Sequence, residues 1–493
     1  MHKKNLLHYA AYLLCLAFLA GCSSKNSETS SWSAYFPNTG TYSSPRMADL
    51  NKDGVPDIII GAGGKEEVHS DTAVLAVDGA TGKALWAIPG ANQYVGSAIF
   101  LDITNDGIPE VFIGGRWALL TAIDGSNGKP VWSFYSERQQ TDGSDGGWFN
   151  FTTPQWIPDQ DGDGLMDLLI ANGGDARVEA GDPNRPAGRL LVLSSKSGKI
   201  LANVVVPDGR EIYMSVICEK KGDGIDVYFG TGGESIGGHL YRTSVHHIMS
   251  GDISGAKVLA SSENKGFIGS PVLVDITGDK TKDIVINTVD GRMLAINGDT
   301  DTLIWELNFP GTEAYTIPAV GYFNGDSIPD IFSNFAIGTF PRLNWSVRFM
   351  VDGKTGQIAY RDTIPAFQYA SPVVADLDGD GFDEVIVNQS ALRRKQFENV
   401  YYSNLLVFDF RKNTKTALGD TLPATNLAST PWIGDMDNDG RLDIIYTAVN
   451  YYDTKLDLSK PLGLWIARFN TGINISKTLR WGAYLGSNYD GNF

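Results

Sequence analysis

Carboxylates recur in this chain at a spacing that suits a hard cation. In Asp49-x-Asn51-x-Asp53-Gly54-x-x-Asp57, oxygen-bearing side chains occupy positions 1, 3 and 5 of a nonapeptide. In a tight loop these can turn inward around one point. Glycine at position 6 permits the positive φ that reverses the chain, and the position 7 carbonyl, here Val55, adds an oxygen. A carboxylate at position 9 closes a shell of the kind Ca²⁺ demands, with about six to eight oxygens at roughly 2.3–2.6 Å. Mg²⁺ fits less well because it usually keeps several waters. The whole pattern occurs at Asp49/Asn51/Asp53/Val55/Asp57, Asp159/Asp161/Asp163/Leu165/Asp167, Asp376/Asp378/Asp380/Phe382/Glu384 and Asp435/Asp437/Asp439/Arg441/Asp443. A fifth loop, Asp102/Thr104/Asp106/Glu110, has a hydroxyl at position 3. A single loop of this kind is as readily an Asx-turn without metal. Four in register argue for cations, because bare clustered carboxylates repel. Four to five structural Ca²⁺ sites are expected. Three worn copies are expected to be metal-free turns: Lys280 replaces glycine in the Asp275 loop, Tyr322 replaces the first carboxylate of another, and Glu219–Asp226 is one residue short.

The loops need strands to hold them. Ser44-Pro45 to Gly61 (SPRMADLNKDGVPDIIIG), Ser371-Pro372 onward (SPVVADLDGDGFDEVIVN) and Thr430-Pro431 onward (TPWIGDMDNDGRLDIIYT) each set the nonapeptide between two apolar runs. Loop starts fall at 49, 102, 159, 219, 275, 322, 376 and 435, so a unit repeats every 47 to 60 residues. Downstream in the unit, Val74–Trp86 (VLAVDGATGKALW), Leu120–Trp132 (LTAIDGSNGKPVW), Leu294–Trp305 and Val351–Tyr360 read as β-hairpins around a Gly-rich turn. Each unit thus supplies about four short strands that cannot bury both faces alone. At 493 residues the chain is too long for one ordinary core. Eight such units predict an all-β, eight-bladed β-propeller, with a seven-bladed ring as the runner-up should the worn fourth unit not form a blade. Trp32-Ser33-Ala34-Tyr35 echoes Trp481-Gly482-Ala483-Tyr484. Pairing of terminal strands in one blade would close the ring and remove its edges.

The acidic half of the unit resembles the FG-GAP/VCBS calcium-loop repeat. The hairpin half resembles the PQQ-type propeller repeat, with its Asp-Gly-x-Thr-Gly-Lys turn and terminal Trp. The resemblance covers nearly all of residues 32–493 and implies an eight-bladed propeller like those of bacterial lipoproteins with PQQ-like repeats. It also invites a PQQ-dependent dehydrogenase. Those enzymes typically carry a disulfide of adjacent cysteines beneath the cofactor, and this chain has no such cysteine pair. The repeat is therefore read as architecture without the quinone.

Residues 1–21 read as a signal peptide, with Lys3 and Lys4 before an apolar run from Tyr12 to Ala20 that is too short to span a membrane. Its ending, Leu19-Ala20-Gly21-Cys22, resembles the lipobox, which implies cleavage before Cys22 and lipidation of its thiol. The alternative is an ordinary secretory signal with a chance cysteine. Residues 22–31 are a lipidated cysteine and a flexible tether, and residues 32–493 a single propeller domain. Ser23 after the cysteine favours the outer membrane by resemblance to a sorting rule. The formal net charge of -17, or -19 after two lysines leave with the signal, excludes a duplex nucleic acid partner. Contact with a membrane is expected through the lipid only. Of three cysteines, Cys218 alone remains free after processing, and it reads as an inert core thiol.

No catalytic group is assigned. The chain lacks HExxH, CxxC and GxxxxGK[ST], and adjacent His246 and His247 on a strand would face opposite ways. A polysaccharide lyase of rhamnogalacturonan type is the enzyme alternative, since some lyases use calcium-bearing eight-bladed propellers. The leading expectation is a non-catalytic binding or scaffolding protein for a glycan or an envelope protein. Its ligand face is expected on the polar insertions Ser136–Gln155, Asn172–Arg189, Gln389–Tyr402 and Asn450–Pro461, with Trp148, Tyr451 and Tyr452 as aromatic contacts. The competing reading of these segments is ordinary long loops.

Overall fold

A computed structural model describes residues 31–134, 149–175, 178–179, 182, 184–340, 342–366, 368–395, 398–451, 461–475 and 479–493. The signal and tether up to Ser30, with Cys22, and the insertion residues Trp148 and Tyr452 lie outside the described residues. The unit Ser31–Phe493 is an eight-bladed β-propeller, each blade an antiparallel sheet of four principal strands. Blade 1 runs Arg46–Ala48, Asp57–Gly61, Ser70–Val77 and Ala84–Gly90 from the axis outward. The fourth unit forms a full blade despite its worn loop: Ile217–Lys221 turns directly into Gly224–Gly230, with Gly222 at φ +60°. The ring therefore has eight blades.

Second strands such as Asp57–Gly61, Glu110–Gly114 and Asp283–Asn287 are buried along their whole length, which is why they read as unbroken apolar runs. Side chains alternate across the strand. Ile58 and Ile60 pack with Ile445 and Val449 of blade 8, whereas Ile59 packs with Val111 and Ile113 of blade 2. The core thus lies between blades, and truncating one of these isoleucines to alanine is a loss of about 2–5 kcal/mol.

The tryptophan of the hairpin repeat fastens one blade to the next. Trp86, on the outer strand of blade 1, donates its indole N–H to the Gly125 carbonyl in the hairpin turn of blade 2 at 2.7 Å. Trp132 and Trp305 do the same to Ser195 and Gly353 at 2.8 and 2.9 Å. Each ring lies on the turn's glycine. At Gly128, Gly198 and Gly356 a Cβ would come within 2.6–2.8 Å of the indole, and all three have φ near +70°. Only glycine meets both conditions.

The same fastening closes the ring. Trp32–Pro37 is the outer strand of blade 8, and Trp32 donates to Gly79 of blade 1 at 3.0 Å. The terminal strands do share a blade, but the partner of Trp32–Pro37 is Pro461–Asn474 and not the Trp481 segment that echoes it. Residues 479–493 instead enter the axis. Their carbonyls accept from Val374, Ile433 and Leu273 N–H at 2.8–2.9 Å, and from the side chains of Arg46 and Gln155 at 2.8 and 3.1 Å. Asn492 in turn donates to the Cys218 carbonyl at 3.1 Å. Six blades are thereby tied to one tail. Arg46 is fully buried and stacks its guanidinium 3.7 Å from the Tyr489 ring centre.

Two local expectations change. His246 and His247 lie on a short helix, Val245–Met249, capped by Ser244, and not on a strand. The third insertion is mostly a hairpin: Glu384–Lys395 and Glu398–Asp409 are long paired strands. Among the described residues no helix is long and apolar enough to cross a membrane.

Candidate functional site

The acidic loops join first to second strands, and the Gly-rich turns join third to fourth strands. Antiparallel connectivity puts both sets on one face of the ring, and the insertions on the other. On the loop face one hydrogen-bond scheme recurs. The position 1 carboxylate accepts the position 6 N–H: Gly54 to Asp49 at 3.0 Å, Gly164 to Asp159 at 2.7 Å, Gly381 to Asp376 at 3.1 Å and Gly440 to Asp435 at 2.9 Å. The Asp102 loop repeats it through Gly107 at 2.9 Å. Lys280 makes the same bond to Asp275 while holding φ +74°, so the cation at this position does not prevent the turn. Position 4 is left-handed as well, at Lys52, Asn105, Gly162, Gly379 and Asn438. The sequence signal for it, Gly or Asn at three of four intact position 4 residues, went unread. In the Tyr322 loop neither Gly325 nor Ser327 is left-handed.

The position 5 carboxylate accepts from the position 7 N–H in these loops: Val55 to Asp53, Ile108 to Asp106, Leu165 to Asp163, Phe382 to Asp380 and Arg441 to Asp439, at 2.7–3.0 Å. Position 9 lies on the second strand and is buried. Burial pushes Asp57 up to about 6 and Glu384 to about 7. Asp167 and Asp443 are raised for the same first reason.

Carboxylate atoms at positions 1, 3 and 9 lie within 4.8 Å of one another in three loops: Asp159/Asp161/Asp167, Asp376/Asp378/Glu384 and Asp435/Asp437/Asp443. What neutralises them differs. Arg468, fully buried, reaches Asp437 at 2.6 Å and Asp443 at 3.1 Å. Lys412, half-exposed, touches Asp378 and stands 3.7 Å from Asp380 and 3.1 Å from Asp409. In the first loop, Asn51 turns its amide to Asp53, Asp57 and Asp78 at 3.2–3.4 Å. In the Asp102 loop, Thr104 donates to Glu110 at 3.0 Å. The Asp159 cluster has neither Lys nor Arg against it among the described residues. Its Asp167 Oδ1 is buried without a hydrogen bond of normal geometry. That oxygen and the spacing of the cluster fit a hard cation.

The opposite face holds features that the sequence reading missed. Seven of the eight inner strands are preceded by a hydroxyl residue at an equivalent position, and these form a belt around the axis. Backbone N–H groups donate to the next blade's hydroxyl: Ser44 to Ser97, Ser97 to Thr153, Thr153 to Ser215, Ser371 to Thr430 and Thr430 back to Ser44, at 3.0–3.2 Å. In blade 6 the position is Ile317, which donates to Ser371 but offers no hydroxyl of its own. Two residues before the belt, blades 1, 4, 6 and 7 carry Tyr42, Tyr213, Tyr315 and Tyr369. These tyrosines line an axial pocket of about 190 Å³ with Tyr484 of the tail. The repeat of Tyr-x-Ser at 42, 213 and 369 was the available signal. Tyr451 stands beside this rim and hydrogen-bonds the Tyr42 hydroxyl. Arg185 of the second insertion bonds Glu211 at 2.5 Å and the Tyr213 hydroxyl at 2.9 Å. Cys218 lies on the loop face, its thiol pushed up to about 12 by burial and then by Asp490.

Eight sheets in a ring, four of their joints fastened by an outer-strand tryptophan on the next blade's hairpin turn, define a β-propeller wound on a hydroxyl belt and plugged by its own tail. The chain belongs to the FAM234A/B β-propeller family, which it matches over residues 32–379. It is 23% identical over 352 residues to Protein FAM234B of Gallus gallus, covering 66% of this chain and 53% of that one. It is 22% identical over 405 residues to Protein FAM234B of Homo sapiens, covering 75% and 60%. The chain thus spans between half and three fifths of the length of these relatives. Among solved structures it is similar to the quinohemoprotein alcohol dehydrogenase ADHIIG of Pseudomonas putida HK5. The TM-score is 0.50 at 12% identity, covering 92% of this chain and 77% of that one, a likeness of fold alone.

Proposed function

We propose that this chain is an extracytoplasmic binding propeller, anchored by lipid at Cys22 and braced by Ca²⁺ in its acidic loops. It takes a glycan or an envelope protein on its insertion face. The observation that carries the reading is the division of labour between the faces. One face repeats a single turn around the ring, as a structural brace does. The other breaks the repeat with insertions and an aromatic axial rim. Calcium is assigned first to the Asp159 loop, which has no cation of its own. The Asp49 and Asp376 loops come next and Asp102 after them. The Asp435 loop ranks last because Arg468 already answers its charge.

The test is binding of the calcium-loaded protein to arrayed envelope glycans and candidate envelope proteins, repeated with Tyr315→Leu and Tyr451→Ala. Saturable binding that these variants weaken supports the reading. Calcium-dependent growth of ultraviolet absorbance from acidic polysaccharides, the signature of an unsaturated uronide, would make the protein a lyase instead.

A further inference from the structure

The polar atoms around the axial pocket are already committed. The belt hydroxyls of Ser44, Ser97, Thr153, Ser215 and Ser371 each accept a neighbouring backbone N–H. The Tyr213 hydroxyl donates to Glu211 at 2.9 Å, that of Tyr315 to Glu313 at 2.6 Å, and that of Tyr42 is paired with Tyr451. A neutral sugar ring would find few free groups to bond. What the four half-buried tyrosines offer is ring surface, and the faces of such rings are electron-rich.

The rim also carries an excess of negative charge. Glu66 holds Arg116, Glu211 holds Arg185, and Glu313 holds Lys265. Glu234, on the loop between the second and third strands of blade 4, follows Gly233, which packs on the Tyr213 ring; it forms no hydrogen bond or ion pair among the described residues, and burial and then Glu313 raise its carboxyl against the opposing Lys265 and Arg185. It stands close enough to Tyr315 and Tyr369 that, after burial, its charge is the next cause raising both hydroxyls. Arg46, the buried cation below, contributes no atom to the pocket lining: its Nη1 is bonded to the Tyr484 carbonyl and its plane lies on Tyr489. The chain's net charge of -17 favours approach of cations from solution.

We propose that the axial pocket binds an organic ammonium group, its alkyl surface against Tyr42, Tyr213, Tyr315 and Tyr369 and its charge answered by Glu234. The volume of about 190 Å³ admits a head the size of choline. This rests on the reading of the insertion face as the ligand face and names the chemistry recognised there.

The experiment is calorimetric titration of the calcium-loaded protein at fixed ionic strength with tetramethylammonium, choline, n-butylammonium and the neutral isostere 3,3-dimethylbutanol. Tetramethylammonium and choline are expected to saturate one competing site, and the isostere to show no saturation. Strength of n-butylammonium relative to choline separates a primary amine from a methylated one. Tyr315→Leu is expected to weaken binding about tenfold, while Tyr315→Phe, which keeps the ring, stays within about threefold. Glu234→Gln, at a loop position that leaves folding intact, is expected to weaken binding about fivefold. Equal binding of the isostere, no saturation by any cation, or unchanged affinity in Glu234→Gln overturns the proposal. If cations fail while glycan or protein binding persists and still depends on Tyr315, only the cation assignment falls. If that binding ignores Tyr315 and Tyr451, the choice of face falls too.

Discussion

The Asp159 and Asp435 loops have the same motif, the same left-handed turns and nearly the same backbone bonds, yet they meet opposite electrostatic ends. In blade 8 a guanidinium from the neighbouring strand Pro461–Asn474 enters the cluster, contacts Asp437 and Asp443, and is fully buried. In blade 3 the corresponding strand, Arg189–Leu193, sends no cation there. A side chain can therefore stand where an ion would stand, and the nonapeptide alone does not say which loops need metal. The backbone of the turn is indifferent to the choice, since its carboxylates accept N–H bonds either way.

The strongest way to break this comparison is Arg468→Met. Removing one side of a buried ion pair strands Asp437 and Asp443, a loss of about 3–5 kcal/mol in denaturant unfolding. In this variant millimolar Ca²⁺ should recover part of the loss, because the loop then resembles that of blade 3. No recovery would show that the two loops differ in more than their cation. Chelation of the wild-type protein comes next. With a dissociation constant near 0.1 mM, each occupied site adds about 1.4 kcal/mol at millimolar Ca²⁺. EDTA should lower the melting temperature, and Mg²⁺ should restore it poorly. Equal melting in EDTA and Ca²⁺ would remove the metal from every loop. Asp161→Ala should abolish about one site's share of the calcium response, whereas Asp437→Ala should cost the same with and without Ca²⁺.

The smallest effect concerns the worn Tyr322 loop. Its Asp330 is raised to about 7, by burial first, with backbone N–H groups of Gly353, Asn324 and Phe323 opposing. A carboxyl whose folded pKa lies above its unfolded value stabilises fully below the unfolded value, near 4, and loses that contribution as pH rises through the folded one. Melting temperatures from pH 4.5 to 7.5 should therefore fall less steeply in Asp330→Asn than in wild type. Parallel curves would contradict the assignment.

Much of this architecture was legible in the residues. The repeat of acidic loop and hairpin marks eight blades, and Asp-Gly-x-Thr-Gly-Lys marks the turns that receive the tryptophans. These are local signals, each within one unit. What was illegible is long-range. Arg468 lies 25 residues beyond Asp443 in an otherwise apolar strand, with nothing nearby to mark its target. Trp481 echoes Trp32 in sequence but is buried in the axis, because Trp32–Pro37 already has Pro461–Asn474 as its partner. The tyrosine rim occupies four of eight equivalent positions, so it emerges only once the belt sets the alignment. Two of the three aromatics expected at the ligand face, Trp148 and Tyr452, lie outside the described residues, and Tyr451 supports the rim through Tyr42.

The belt can also be viewed as a hoop under load. Its joints at Ser44, Ser97, Thr153, Ser371 and Thr430 are single hydrogen bonds of one kind. Ile317 breaks the series, leaving the joint between blades 5 and 6 without its hydroxyl. Contacts of another kind bridge that gap: Phe309, just after the outer strand of blade 5, stacks on Phe349 of blade 6 with ring centres 4.3 Å apart, and the Asn287 amide donates to the Thr316 carbonyl and the Ser333 hydroxyl at 2.8 Å. A bolted hoop with one glued seam parts differently under different insults. Removing the Phe309 ring should load this joint more than any other, leaving the Asn287 amide and the Trp305 indole to hold it.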